Sequence, residues 1–155
     1  MRCCLKRLLL VTFLVFLWAT PARAQDDLTG RFGAGVNWQG FQAKYGIAED
    51  WLAEAKIQFA SNNTTAGARV YRLFPSIPRM LLDARPYVGG EFNWVFSDYL
   101  DGGILTGPFG GLEFLPAKNL GLELDVGFYY ENLWSRIGSV VDVGIIVNLG
   151  VTLYF

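Results

Sequence analysis

Asp142-Val-Gly-Ile-Ile-Val-Asn-Leu-Gly-Val-Thr-Leu-Tyr-Phe155 decides the reading of this chain. Every second residue back from the end is apolar: Phe155, Leu153, Val151, Leu149, Val147, Ile145 and Val143. The interleaved set, Tyr154, Thr152, Gly150, Asn148, Ile146, Gly144 and Asp142, is mostly polar or small. Successive side chains of a β-strand point to opposite faces, so this segment is a strand with one continuous oily face. In an exported chain such a face can point into lipid instead of a core.

The start of the chain carries an export pattern. Arg2, Lys6 and Arg7 precede the apolar run Leu8–Ala19, and Pro21 and Ala22-Arg23-Ala24 follow it. This predicts a secretory signal over 1–24, cut after Ala24, and a single domain over 25–155. The apolar run is short for a membrane-spanning helix. Cys3 and Cys4 leave with the signal, so the mature chain has no disulfide and no thiolate ligand or nucleophile. Of 13 basic residues, Arg2, Lys6, Arg7 and Arg23 also leave, while all 14 acids stay, giving 9 − 14 = −5. An acidic surface argues against nucleic acid as a partner.

Beyond Ala24 no segment holds helical periodicity. Alternation with a period of two recurs instead, interrupted by Gly, Pro, Asn and Asp. It predicts eight strands: Gly30–Trp38, Gln39–Ile47, Trp51–Ala60, Thr64–Phe74, Arg85–Phe96, Gly103–Leu115, Asn119–Glu131 and Asp142–Phe155. The sixth is weakened by Pro108 and Gly110. On the third, Trp51, Ala53, Ala55, Ile57 and Phe59 oppose Glu54, Lys56 and Gln58. On the seventh, Leu120, Leu122, Leu124, Val126, Phe128 and Tyr130 oppose Glu123, Asp125, Tyr129 and Glu131.

The apolar rows end in aromatics at two levels. Trp38, Trp94, Phe96, Phe128, Tyr130 and Trp134 form one, and Trp51, Phe74, Phe114 and Phe155 the other, as in the interfacial girdles of a transmembrane barrel. The polar rows carry glycines such as Gly33, Gly67, Gly111, Gly121 and Gly144, which leave room in a narrow interior. They also carry the bases Arg31, Lys44, Lys56, Arg69 and Arg85, mostly on early strands, and the acids Glu54, Glu91, Glu113, Glu123 and Asp125, mostly on late ones. Closure of the last strand on the first sets the two groups face to face. The expectation is an all-β, eight-stranded antiparallel up-and-down transmembrane β-barrel, its polar lumen filled by side chains and ion pairs.

The chain resembles the small outer-membrane β-barrels of Gram-negative bacteria, the OmpA-type and OmpX-like group. Asn148-Leu-Gly-Val-Thr-Leu-Tyr-Phe155 is similar to the terminal signal read by the barrel assembly machinery, with Val151, Leu153, Tyr154 and Phe155 its carriers. Tyr45-Gly-Ile-Ala-Glu-Asp-Trp-Leu-Ala-Glu-Ala and Pro116-Ala-Lys-Asn-Leu-Gly-Leu-Glu-Leu resemble that group's periplasmic turns and rising strands. Tyr71-Arg-Leu-Phe-Pro75 and Arg85-Pro-Tyr-Val-Gly-Gly90 resemble its fourth and fifth strands. The resemblance implies the cell outer membrane, porin-like architecture, periplasmic termini, and lipid and the assembly machinery as partners. Outer loops are then expected near Gln39, Ser61–Thr64, Ser97–Gly102 and Asn132–Val141. The connection Pro75–Ala84 is long for a periplasmic turn, and its Met80-Leu81-Leu82 suits a membrane surface. The group is functionally mixed and fixes no activity.

Chemistry is sparse. The chain has no histidine, the base that barrel enzymes such as lipid A deacylases, palmitoyl transferases and omptin-like proteases need, so Ser61, Ser97, Ser135 and Ser139 lack an activator. Glu123 and Asp125 share a face and could act as acid and base, but pairing with lumen cations is the preferred reading. Asp98 and Asp101 could hold calcium and read better as a solvated turn. Trp134 and Arg136 could contact a surface partner, against the simpler reading of Trp134 as a girdle aromatic. No catalytic, metal or cofactor site is expected. The sequence reads first as a non-enzymatic outer-membrane barrel of structural or surface-interaction type, with the surface partner unknown. A small-solute transport or binding protein, and a soluble periplasmic barrel holding an apolar ligand, are the alternatives.

Overall fold

The computed structural model describes residues 27–77, 84–97 and 100–155. The expected signal over 1–24 and Met80-Leu81-Leu82 lie outside them, as does Asp98. The described chain is all-β, with no helix: β1 (Phe32–Asn37), β2 (Gly40–Ala48), β3 (Trp51–Phe59), β4 (Asn63–Leu73), β5 (Ala84–Ser97), β6 (Gly102–Ala117), β7 (Leu120–Ser135) and β8 (Gly138–Tyr154). Every neighbouring pair is antiparallel, and β8 returns to β1 through Gly33↔Tyr154 to Asn37↔Gly150, closing the sheet into a ring.

Strand length grows round the ring, from 6 residues in β1 to 17 in β8. The register explains the growth. From Asn37 the partners run Gly40, Gln58, Thr65, Val95, Gly103, Leu133 and Val140, yet across the seam Asn37 faces Gly150. The stagger is 150 − 140 = 10 residues over eight strands. A closed sheet with that stagger tilts its strands by roughly 40°. The hairpin tips therefore climb from β1–β2 to β7–β8, making an oblique rim.

The faces sort by parity. Val143 is 68% exposed and Leu149 49%, while Arg69 is 4% and Asp125 2%. The apolar rows point outward and the ionic rows inward. At the upper end, Phe92–Trp94 and Trp94–Trp134 stack edge to face at 5.5 and 6.4 Å. The lower end of the interior is closed by Leu28, Leu52, Tyr71, Leu73, Tyr87, Phe109, Leu115 and Tyr154, one buried cluster.

Several expectations are corrected. The largest concerns Asn132–Val141, expected as an outer loop. Its residues are strand: Glu131↔Asp142, Leu133↔Val140 and Ser135↔Gly138 are paired, leaving only Arg136 and Ile137 in the turn. Gly138, at φ 148°, takes a conformation that other residues rarely adopt and permits so tight a reversal. At the start, Gly30 and Arg31 are a turn, not strand. Gly30 has φ 73°, and the Arg31 N–H donates to the Leu28 carbonyl at 3.0 Å. β6 runs through Pro108, but its ladder to β7 skips from Thr106↔Tyr130 to Phe109↔Gly127, as a missing N–H requires.

Candidate functional site

The interior of the ring is the one place where chemistry concentrates among the described residues. The ring encloses an ionic set built by inward positions of six strands, most of it above the apolar cluster. Four cations, Lys44, Lys56, Arg69 and Arg85, and five carboxylates, Glu54, Glu91, Glu113, Glu123 and Asp125, are buried.

Arg69 on β4 is its centre. It donates from Nε to Glu91 on β5 at 2.8 Å and, through two nitrogens, to Asp125 on β7 at 2.9 and 3.0 Å. Glu54 lies 3.9 Å from the same guanidinium. Phe109 lies beneath it, its ring centroid 3.9 Å from Cζ. A planar fork on a carboxylate and a ring face is what guanidinium, unlike ammonium, supports.

Two ammoniums complete the layer. Lys56 meets Glu91 at 2.7 Å. Lys44 meets Glu123 across the lumen and stands 3.8 Å from Glu54 on the next strand. Neutral groups fill the remaining valences. Gln42 donates to Thr152 at 2.8 Å, Thr152 to Glu123 at 2.7 Å, and Asn148 to Asp125 at 2.8 Å. Tyr154 donates to Glu113 at 2.5 Å and Tyr87 to Asp125 at 3.2 Å. Buried ions without such company cost several kcal/mol each, roughly, so a dense network is what makes this interior tenable.

The ten predicted network residues thus divide. Lys44, Glu54, Lys56, Arg69, Glu91, Glu123 and Asp125 form one connected set. Arg85 and Glu113 are buried lower down, paired opposite each other on β5 and β6. Arg31 sits at the lower rim, bonded to the Lys118 carbonyl at 3.3 Å with its guanidinium 5.7 Å over the Tyr154 ring. Gln42, Asn148, Thr152, Tyr71, Tyr87 and Tyr154 are not among the ten expected network residues, although each shares inward parity with a charged or glycine position.

Glu123 and Asp125 are engaged by different cations, Lys44 and Arg69, and sit under the layer's hydrogen bonds instead of lining a cleft. Only about 10 Å³ of void remains among Gln42, Arg69, Glu123 and Asp125. Asp101 is exposed, its N–H donating to the Trp134 carbonyl at 2.9 Å. Trp134 is on β7 and packs against Trp94, whereas Arg136 is in the turn beyond, so the expected loop pair is divided between two settings. Of the residues expected to carry an assembly signal, Val151, Leu153 and Phe155 face outward and Tyr154 inward.

Above the ionic layer the interior opens into a vestibule of about 310 Å³. Its walls include Lys56, Gln58, Thr65, Asn93 and Asn148, and the β1–β2 turn residues Trp38 and Gln39 lie at its edge.

No protein-family model, no curated protein and no solved structure matches this chain.

Proposed function

We propose that the chain is a non-enzymatic transmembrane β-barrel of the Gram-negative outer membrane, of structural or surface-interaction type, exported by residues 1–24. The observation that carries this reading is the inverted distribution of polarity. Val143, Ile145, Val147, Leu149, Val151 and Leu153 are exposed along a whole strand, and nine charged side chains are enclosed among the described residues. In water that arrangement exposes oil and buries charge, both unfavourable. In a bilayer it is the stable one, because a closed strand ring leaves few backbone groups unsatisfied.

The filled ionic layer favours a structural part over solute passage, since the void left within it is about 10 Å³, roughly what a single water needs. It also disfavours the reversed arrangement, in which an apolar ligand occupies the centre. Lipid and the assembly machinery are the partners this reading requires.

The test is reconstitution. Protein folded into vesicles should migrate differently on gels with and without boiling, and its outward tryptophans should be quenched by brominated acyl chains. Recovery as a soluble periplasmic protein with unquenched tryptophans would remove the reading.

A further inference from the structure

Resting on the membrane reading, we propose that the outer mouth of the ring opens sideways over the β1–β2 turn, at the depth of the outer leaflet. There it binds a single-chain amphiphile with a neutral, hydroxyl-bearing headgroup.

The opening follows from the stagger. At a tilt of about 40°, each residue climbs about 2.5 Å along the ring axis. The outward row of β1 and its turn, Phe32 to Trp38, covers six residue steps, roughly 15 Å. The outward row of β8, Phe155 to Val143, covers twelve steps, roughly 30 Å. A transmembrane barrel presents an apolar band about 25 Å tall. On the β1–β2 side the wall therefore stops about 10 Å short of the outer interface. β8 meets β1 only up to Leu149, whose carbonyl accepts from the Trp38 N–H at 2.7 Å. Above it, Gly144 to Val147 present a strand edge that no described residue pairs, and Ile145 and Val147 are exposed on its outward side.

An unpaired strand edge is not stable in hydrocarbon, so a polar group must reach it. A second copy cannot supply one. Two copies inserted in the same direction are related by an axis along the membrane normal, which would cross their tilted β8 strands at about 80° instead of aligning them. A headgroup can supply one, and the vestibule behind the notch is built to hold it. Ile146, Val147 and Asn148 of the β8 edge line that vestibule together with Gln58, Thr65 and Asn93. Asn93 is 1% exposed, and its Oδ1 has no hydrogen-bond partner among the described residues. Lys56 and Glu91 on the floor already neutralise each other at 2.7 Å. The remaining groups are amides and a hydroxyl, which recognise hydroxyls better than ions. At about 30 Å³ per water, the 310 Å³ space holds about ten heavy atoms, enough for a glycerol-sized head. The chain would leave over Trp38 and Phe41, which are exposed on the adjoining outer face.

The test uses the whole mature chain in nanodiscs, first checked for heat-dependent gel migration, with 1-monopalmitoylglycerol as probe and native mass spectrometry as readout. A one-to-one adduct is expected. It should fall about tenfold with palmitate, whose head is anionic, and vanish with free glycerol, which lacks the chain. Thr65→Phe, which fills the vestibule, should abolish it, and Leu124→Ala on the outer face of β7 should not. Should Thr65→Phe fail the migration check, Gln58→Leu and the side-chain amide shift of Asn93 on titration carry the same comparison. Correct insertion with no adduct, or an adduct indifferent to the vestibule variants, overturns the proposal and leaves the membrane reading intact. Failure to insert overturns both.

Discussion

Arg69 and Asp125 stand three strands apart and face each other across the ring, joined by two parallel hydrogen bonds of 2.9 and 3.0 Å. This fork ties β4 to β7 through the interior, a link the sheet ladder does not provide. Because Arg69 also holds Glu91 at 2.8 Å, its loss strands Asp125 and leaves Glu91 to Lys56 alone, in a site with little void.

Arg69→Met is accordingly expected to lower stability by about 3–5 kcal/mol, the usual cost of leaving buried charge unpaired. The double variant Arg69→Met/Asp125→Leu should recover part of that loss, since one orphan is removed and Lys56 still holds Glu91 at 2.7 Å. Urea unfolding in vesicles measures both. A double variant weaker than the single would show that the stranded Asp125 charge is not what the loss of Arg69 costs.

Gly46 tests a contact at the lower end. A Cβ there would lie 1.8 Å from the Leu28 carbonyl oxygen, which is backbone and cannot swing aside. Gly46 also donates its N–H to Arg31 and accepts from Gly30, so it holds the entry turn that seats Leu28 in the apolar cluster. Gly46→Ala should destabilise by at least about 1–3 kcal/mol and expose the segment before β1 to protease. Gly90→Ala, whose Cβ would sit 3.9 Å from its nearest neighbour on the outer face, should be close to neutral. Equal effects at the two sites would show that crowding against Leu28 is not the cause.

How much of this was legible in the sequence depends on whether a feature is local. The period of two over Asp142–Phe155 identified β8 and its faces without help, because parity is a property of one strand. The β7–β8 turn falls within the expected loop but is much shorter; the loop reads too long because Ser135, Arg136, Gly138 and Asp142 look like loop residues one by one. Their strand character comes from pairing, as in Leu133↔Val140. Lys44, Arg69 and Asp125 could be sorted inward by parity, but which cation meets which carboxylate depends on the ten-residue stagger, a property of the closed ring. The same holds for the notch above the β1–β2 turn. Leu28, outside any alternating run, gave no signal that it fills the base of the interior.

On the proposed reading, Phe155 separates assembly from stability. Phe155 is 73% exposed, and its N–H donates to the Phe32 carbonyl at 2.8 Å where β8 meets β1. An exposed side chain with one backbone bond adds little to a ring closed by five seam pairs, Gly33↔Tyr154 to Asn37↔Gly150. Phe155→Ala should fold from urea into vesicles at nearly the parent rate and stability, yet accumulate poorly in the outer membrane of cells. The comparison is heat-dependent gel migration of refolded and cell-derived material. Equal loss in both would assign Phe155 to the fold and not to the assembly machinery.

The outward row of β8 offers the most direct measure of what surrounds the ring. Leu149 and Val143 are both exposed apolar residues on the same face, yet they differ by six residues in height. Arginine at a bilayer midplane costs about 2–4 kcal/mol and near an interface about 0–1. Leu149→Arg should therefore be costly and Val143→Arg mild, each read from unfolding in vesicles. Water would treat the two positions alike, and both charges would be harmless or even favourable there. The depth dependence thus tests the lipid contact independently of gel mobility or fractionation, and a flat profile along β8 would end the membrane reading.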